Sequence, residues 1–149
     1  MDKLFITDLD GTLLNEKAEV SDFTKSELNR LIDAGLNFTF ATARSAATCI
    51  KMFDGVDLKL PVILMNGVCV FDVKSSKYIK MFSIDLDTKK TLLGLIKKYN
   101  LAGFLYSIDD NMLSVFYQNL NSPNAKNFMK ERELKYGKYF THVDDITKC

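Results

Sequence analysis

The first half of the chain alternates between apolar stretches typical of strands and stretches with helical spacing. A continuous apolar run at residues 4–7 predicts a buried parallel strand. Ser21 and Asp22 are typical of a helix N-terminal cap, and Gly35 is typical of a helix end. The predicted elements are strands at 4–7, 36–42 and 61–65 and helices at 22–35 and 45–53. This order predicts a right-handed parallel βαβαβ unit, and therefore a Rossmann-like α/β core.

After the third strand the pattern changes to that of a mixed α+β domain. Residues 68–73 and 78–84 predict an antiparallel hairpin around 74–77. Asp87 predicts the cap of a helix that runs to about Tyr99. Paired strands at 102–108 and 112–117, a helix at 123–136 and a final strand and loop at 139–149 follow. We therefore predict two domains, 1–83 and 84–149.

Composition narrows the classes of partner. Of the 149 residues, 47% are hydrophobic and the net charge is +1, with charges mixed along the chain, so we expect no nucleic-acid partner. No apolar run approaches the ~20 residues of a membrane span, so we expect no membrane partner. The three cysteines include no C-x-x-C pair and favour a reducing, cytoplasmic location. We place Cys69 in the core.

The segment Asp8-Leu9-Asp10-Gly11 follows the first predicted strand. In extended backbone the side chains of Asp8 and Asp10 point to the same side, at the strand end where open α/β sheets bind ligands. Two facing carboxylates repel each other unless a cation binds or one stays protonated. This pattern suits a Mg²⁺-bound phosphoryl group, with one Asp as nucleophile and the other as acid. The alternative is an Asx-type turn with no catalytic role.

The string Phe5-Ile6-Thr7-Asp8-Leu9-Asp10-Gly11-Thr12-Leu13-Leu14 resembles motif I of the haloacid dehalogenase-like phosphatases. The resemblance implies that Asp8 is the nucleophile, that Asp10 is the acid and base, and that Mg²⁺ binds to Asp8 and to the backbone carbonyl of Asp10. We assign Gly11 and Thr12 of the same string to phosphate binding. Thr42, after the second strand, resembles the motif II residue whose hydroxyl bonds the phosphoryl oxygen.

Two further strand ends resemble the sugar-phosphatase, or Cof-type, branch of this family. Arg44 matches the Arg of its A-T-G-R element, with Ala43 in place of Gly. Arg44 therefore binds phosphate or a substrate carboxylate, or else forms a surface or inter-domain ion pair. Asn66-Gly67 resembles an N-G-A element with Val68 as the third residue, and either contacts substrate or occupies a turn.

The later acidic pairs do not match the remaining motifs. Asp109-Asp110 lies between two predicted antiparallel strands, and Asp144-Asp145 lacks the preceding Gly, so we predict turns or loops at both. In the resembling branch a cap follows the third strand, and a returning half of the core supplies a motif III Lys and the motif IV acids. Neither motif is recognisable here. The chain thus resembles the N-terminal part of a longer protein, with 84–149 as an incomplete cap.

These expectations combine into one hypothesis with two alternatives. The chain is a Mg²⁺-dependent phosphatase-like hydrolase of small phosphate esters that acts through an aspartyl-phosphate, and its catalytic set is incomplete. The alternatives are a truncated, non-catalytic remnant that binds a partner, and a phosphomutase. The expected partner is a small phosphorylated metabolite. An unfinished sheet also leaves an unpaired edge, which favours self-association.

Overall fold

The computed structural model describes residues 3–149 as two compact units, one reaching to Phe82 and the other covering Ser83–Cys149. The first unit contains the strands β1 (Leu4–Thr7), β2 (Asn37–Phe40), β3 (Val62–Leu64), β4 (Cys69–Asp72) and β5 (Lys77–Met81) and the helices α1 (Asp22–Asp33) and α2 (Ala46–Cys49). The second contains α3 (Leu86–Lys98), β6 (Leu105–Asp109), β7 (Met112–Tyr117), α4 (Pro123–Tyr136) and β8 (Thr141–His142). Across these described residues, none of the helices is both long and apolar enough to cross a membrane.

The first unit has the predicted parallel arrangement. β1 pairs with β2 in parallel, with Ile6 opposite Thr39. A single parallel bridge between Ala41 and Ile63 joins the end of β2 to β3, and the Thr39 hydroxyl donates to the Pro61 carbonyl at 2.6 Å. β3, β4 and β5 then form an antiparallel meander. The α/β fold is confirmed, and the C-terminal ends of the three parallel strands lie at one edge.

The prediction that β1 is a buried strand is wrong. Leu4, Phe5 and Ile6 are 47–56% exposed, although their sequence is a continuous apolar run. The reason is that, within the described residues, β1 pairs only with β2. A strand buried on both faces needs neighbours on both sides and covering helices, and sequence alone does not show which neighbours are present.

Two local predictions also differ from the structure. The predicted helix at 45–53 is an α-helix only over Ala46–Cys49 and continues as a 3₁₀-helix over Ile50–Phe53. The cap of α3 is Asp85 rather than Asp87, because the Asp85 carboxylate accepts from the backbone N–H of Thr88 at 2.8 Å. Asp87 instead lies in the first turn, where a carboxylate also suits the helix dipole.

The second unit contains a small mixed sheet and a cluster of half-buried aromatic rings. β6 and β7 form an antiparallel hairpin, and β8 adds to β7 in parallel. The ring of Phe104 lies 5.3 Å from the rings of both Phe128 and Phe140. The first acidic pair lies only partly in a turn, because Asp109 is the last residue of β6 and Asp110 occupies the hairpin turn. The second pair lies outside the strands, and Asp145 caps a short 3₁₀-helix.

The core of the first unit centres on Phe40. Its side chain is fully buried and stacks on Phe53 at 4.5 Å between ring centroids. We expect Phe40→Ala to lower the free energy of unfolding by about 3–5 kcal/mol, because it removes a buried ring and leaves a cavity. Urea unfolding measures the change. Phe23→Ala is the matched control, since Phe23 is 77% exposed and its loss should change stability by less than ~0.5 kcal/mol. Equal effects of the two changes would contradict this account of the core.

Candidate active site

A wide turn follows β1 and presents two carboxylates to solvent. Leu9 is fully buried and anchors the turn, whereas Asp8 and Asp10 on either side of it are exposed. One carboxylate oxygen of Asp8 accepts from the backbone N–H of Leu9 at 2.7 Å. The turn closes where the N–H of Leu14 donates to the Leu9 carbonyl at 3.0 Å. Gly11 adopts φ +74°, a conformation that an L side chain would strain, so glycine is needed here.

The segments after β2 and β3 are tied together by backbone hydrogen bonds. The N–H of Thr42 donates to the Ile63 carbonyl at 3.0 Å, and the N–H of Asn66 donates to the Thr42 carbonyl at 3.0 Å. Asn66 and Gly67 turn the chain with φ values of +57° and +89°. The two alternatives for Asn66, a turn residue and a residue of the site, are therefore compatible with each other.

These three strand ends surround one open cavity of about 320 Å³. Its lining residues are Asp8, Asp10, Ala41, Thr42, Ala43, Asn66 and Gly67. The structure thus brings together five of the eight residues that the sequence nominated. Gly11 and Thr12 shape the turn but are not part of this lining. Arg44 is not part of it either, but its side chain contacts the lining residue Asp10.

Thr42 can donate a hydrogen bond into this cavity. Its side chain is buried, and its hydroxyl oxygen accepts from the backbone N–H of Arg44 at 3.2 Å. A hydroxyl accepts and donates at the same time, so Thr42 can still offer its proton to an oxygen in the cavity. This is the role that the resemblance implied for Thr42.

Asp10 forms a two-point ion pair with Arg44. The Nε and Nη2 groups of Arg44 donate to the two carboxylate oxygens of Asp10 at 2.8 and 2.6 Å. These hydrogen bonds lower the pKa of Asp10, with partial burial opposing them. The Arg44 side chain is only 17% exposed, and its Nη1 donates to the Thr48 carbonyl at 3.3 Å. The sequence left open whether Arg44 binds phosphate or a substrate carboxylate, or forms an ion pair. The structure contains an ion pair, and both of its residues belong to the first unit.

The donor set suits a small, hard cation. Asp8 and Asp10 line one open cavity, where Asp8 offers a carboxylate oxygen and Asp10 a backbone carbonyl. Mg²⁺ is usually held by one or two carboxylates together with water and a substrate phosphate. Residues 3–149 contain no group of three or more His, Cys, Asp or Glu side chains that would hold a metal alone. The residues present therefore fit a weakly held Mg²⁺ that needs a further oxygen ligand.

Cys49, whose thiol interacts electrostatically with Arg44 and Asp10, is not a second nucleophile. Burial raises the pKa of the Cys49 thiol to about 12, with smaller and opposing effects of Arg44 and Asp10. At neutral pH Cys49 is therefore protonated, and the thiol is the unreactive form. Cys69 is fully buried, as predicted.

Comparison with known proteins agrees with the motifs and the fold. A family model described as haloacid dehalogenase-like hydrolase matches residues 5–149. Two proteins of Bacillus subtilis named 5-amino-6-(5-phospho-D-ribitylamino)uracil phosphatase are similar. YwtE is 31% identical over 76% of this chain and 38% of its own length. YitU is 26% identical over 82% of this chain and 48% of its own length.

A solved structure from Eubacterium rectale matches 99% of the chain with a TM-score of 0.76 and 26% identity. A haloacid dehalogenase-like hydrolase from Bacteroides thetaiotaomicron matches 98% with a TM-score of 0.72 and 17% identity. The chain spans 53% of each of these structures and less than half of the two curated relatives. The match to the family model over residues 5–149 establishes that the chain belongs to the haloacid dehalogenase-like hydrolases.

Proposed function

We propose that the chain carries the nucleophilic half of a Mg²⁺-dependent phosphatase site for small phosphate monoesters. One observation carries the proposal: Asp8, Asp10 and Thr42 come from neighbouring parallel strands and line one cavity. A nucleophile, an acid and base, and a donor to the phosphoryl oxygen are then within one site. This is the arrangement needed for covalent phosphoryl transfer.

The reaction proceeds in two displacements at phosphorus. The Asp8 oxygen that does not accept from Leu9 attacks phosphorus, a P–O bond to Asp8 forms, and the P–O bond to the alcohol breaks. Asp10 gives its proton to the departing alkoxide, while Thr42 donates to a phosphoryl oxygen. Asp10 then takes a proton from water, which attacks the aspartyl-phosphate and releases inorganic phosphate. Asp8 and Asp10 return to their starting states.

Asp10 can act as an acid only when it is protonated, and Arg44 opposes this by lowering its pKa. A dianionic phosphate next to Asp10 acts in the other direction, because a nearby like charge disfavours the carboxylate. The carboxylate form of the ligand-free site is already the form that accepts a proton from water in the second displacement. The two roles of Asp10 therefore correspond to two charge environments of the same group.

Asp8 and the backbone carbonyl of Asp10 are the groups that would hold Mg²⁺, together with an oxygen of the substrate phosphate. A bound Mg²⁺ supplies positive charge that neutralises the phosphoryl oxygens. Every other contribution to the proposal comes from the residues of this chain.

The proposed substrate is a small phosphorylated metabolite. Two similar proteins are named as phosphatases of a phosphorylated ribitylaminouracil, so this compound belongs in the substrate panel beside simple sugar phosphates. A phosphomutase would use the same Asp8 but would return the phosphoryl group to a sugar hydroxyl. Release of inorganic phosphate separates the hydrolase from the mutase.

The test is hydrolysis of this panel by the purified chain, with Mg²⁺ and with EDTA. We expect slow release of phosphate, well below the ~10 s⁻¹ of a typical enzyme, because a motif III Lys and the motif IV acids are not recognisable in the sequence. EDTA should abolish the release. Release that EDTA does not change would contradict the metal dependence. Release near ~10 s⁻¹ would contradict the incomplete catalytic set.

We also propose that the chain self-associates through β1. Its outer edge has no strand partner among the described residues, and a second copy can pair with it across a two-fold axis. We expect oligomers in analytical ultracentrifugation across a dilution series and a shift toward monomer in Phe5→Lys, because a charge on the edge strand opposes pairing. Phe82→Lys is the matched control, since Phe82 is also exposed but lies outside β1. A monomer at all concentrations, or equal effects of the two changes, would contradict this proposal.

A further inference from the structure

The ion pair between Arg44 and Asp10 has a geometry that separates it from ordinary surface pairs. Both carboxylate oxygens of Asp10 accept from the guanidinium, so the two planes meet as a fork at 2.6 and 2.8 Å. Such two-point pairs fix orientation as well as charge. The Arg44 side chain is largely buried, whereas the Asp10 side chain is half exposed at the cavity.

Arg44 is held in place from behind by the segment that begins α2. Its Nη1 donates to the Thr48 carbonyl, and the Thr48 hydroxyl donates to the Ser45 carbonyl at 2.9 Å. Ser45 and Thr48 are both buried. The guanidinium is thus supported on one side by the protein interior and on the other by Asp10. Asp10 lines the cavity, whereas Arg44 is not among the lining residues.

We propose that Arg44 is a positioning residue that acts on the site through Asp10. It fixes the Asp10 carboxylate and supplies its counter-charge, so that an anionic phosphate can approach Asp8 in a cavity lined by two carboxylates. This inference rests on the proposed function and adds a residue to it. Its physical basis is simple: a second uncompensated carboxylate repels a phosphate and attracts a cation, and the guanidinium opposes both effects.

The inference predicts opposite changes in anion and cation binding. Inorganic phosphate alone and Mg²⁺ alone serve as separate probes of the chain at neutral pH, by calorimetry or by NMR titration. Arg44→Gln should weaken phosphate binding about tenfold and strengthen Mg²⁺ binding about tenfold, given the charge on Asp10 at close range in a half-exposed site. Arg44→Lys keeps the charge and should restore most of both affinities. Arg44→Met gives the same comparison if Arg44→Gln does not fold.

A double-variant cycle separates this role from the alternatives. Asp10 holds the guanidinium beside the cavity. In the Asp10→Asn background, Arg44→Gln should therefore change the phosphate and Mg²⁺ affinities by less than half of the effect seen with Asp10 present. An undiminished effect on phosphate in that background would show direct contact of Arg44 with the anion and would overturn the inference. Weakened binding of both ions would show a merely structural role and would also overturn it.

The proposed function and this inference fail in different ways. If neither ion binds the wild-type chain, the proposed phosphate site is wrong and the inference falls with it. If both ions bind the wild-type chain and Arg44→Gln with equal affinity, the site stands and only the role of Arg44 is wrong.

Discussion

Asp8→Asn should reduce phosphate release by about three orders of magnitude or more, because an amide cannot serve as the nucleophile. The substitution preserves size, and the remaining amide oxygen can still accept from the Leu9 N–H that fixes the turn. The loss should therefore reflect chemistry rather than folding. Initial rates of phosphate release from one sugar phosphate and one aryl phosphate measure it, with unfolding curves to confirm an intact fold.

Asp33→Asn is the matched control for this experiment. Asp33 closes α1, is 73% exposed at its side chain and pairs only loosely with Lys59 at 3.6 Å. The Asp33→Asn variant should release phosphate at the rate of the wild type. If Asp8→Asn retained activity within tenfold of the wild type, the assignment of Asp8 as nucleophile would be wrong.

Asp10→Asn should produce a loss that depends on the leaving group. Alkoxides from sugars need a proton as they depart, so hydrolysis of sugar phosphates should fall by about 10²–10⁴. Activated aryl phosphates release a stable phenolate, so formation of their aspartyl-phosphate should change little. The measurement compares single-turnover rates on the two substrate classes, which isolates the first displacement. Equal losses on both classes would argue against Asp10 as the acid.

Local patterns in the sequence predicted most of the residues that line the candidate site. Asp8, Asp10, Thr42 and Asn66 each follow a strand end, and parallel strand ends converge at one edge. This convergence is a property of topology, so it could be predicted once the strand order was assigned. The positions of the second unit's hairpin and of α4 were predicted in the same way, from local periodicity and turn residues.

The sequence did not predict interactions between distant segments. Arg44 and Asp10 are 34 residues apart, and nothing in either local pattern selects the other as its partner. The exposure of β1 was missed for a similar reason, because an apolar run shows what a strand could bury but not what covers it. Asp85 rather than Asp87 caps α3 because its carboxylate accepts from the backbone N–H of Thr88. The sequence places an Asp at both positions, and the pattern alone does not show which one makes this hydrogen bond.

The most direct test of the central claim is to identify the residue that becomes phosphorylated. The chain is incubated with Mg²⁺ and acetyl phosphate, a small phosphoryl donor, then quenched in acid and mapped by peptide mass spectrometry. The account predicts phosphate on Asp8, none in Asp8→Asn, and a longer-lived label in Asp10→Asn, where the base for the second displacement is missing. Phosphate on any other residue, or Mg²⁺-dependent hydrolysis with no label on Asp8, would contradict the account.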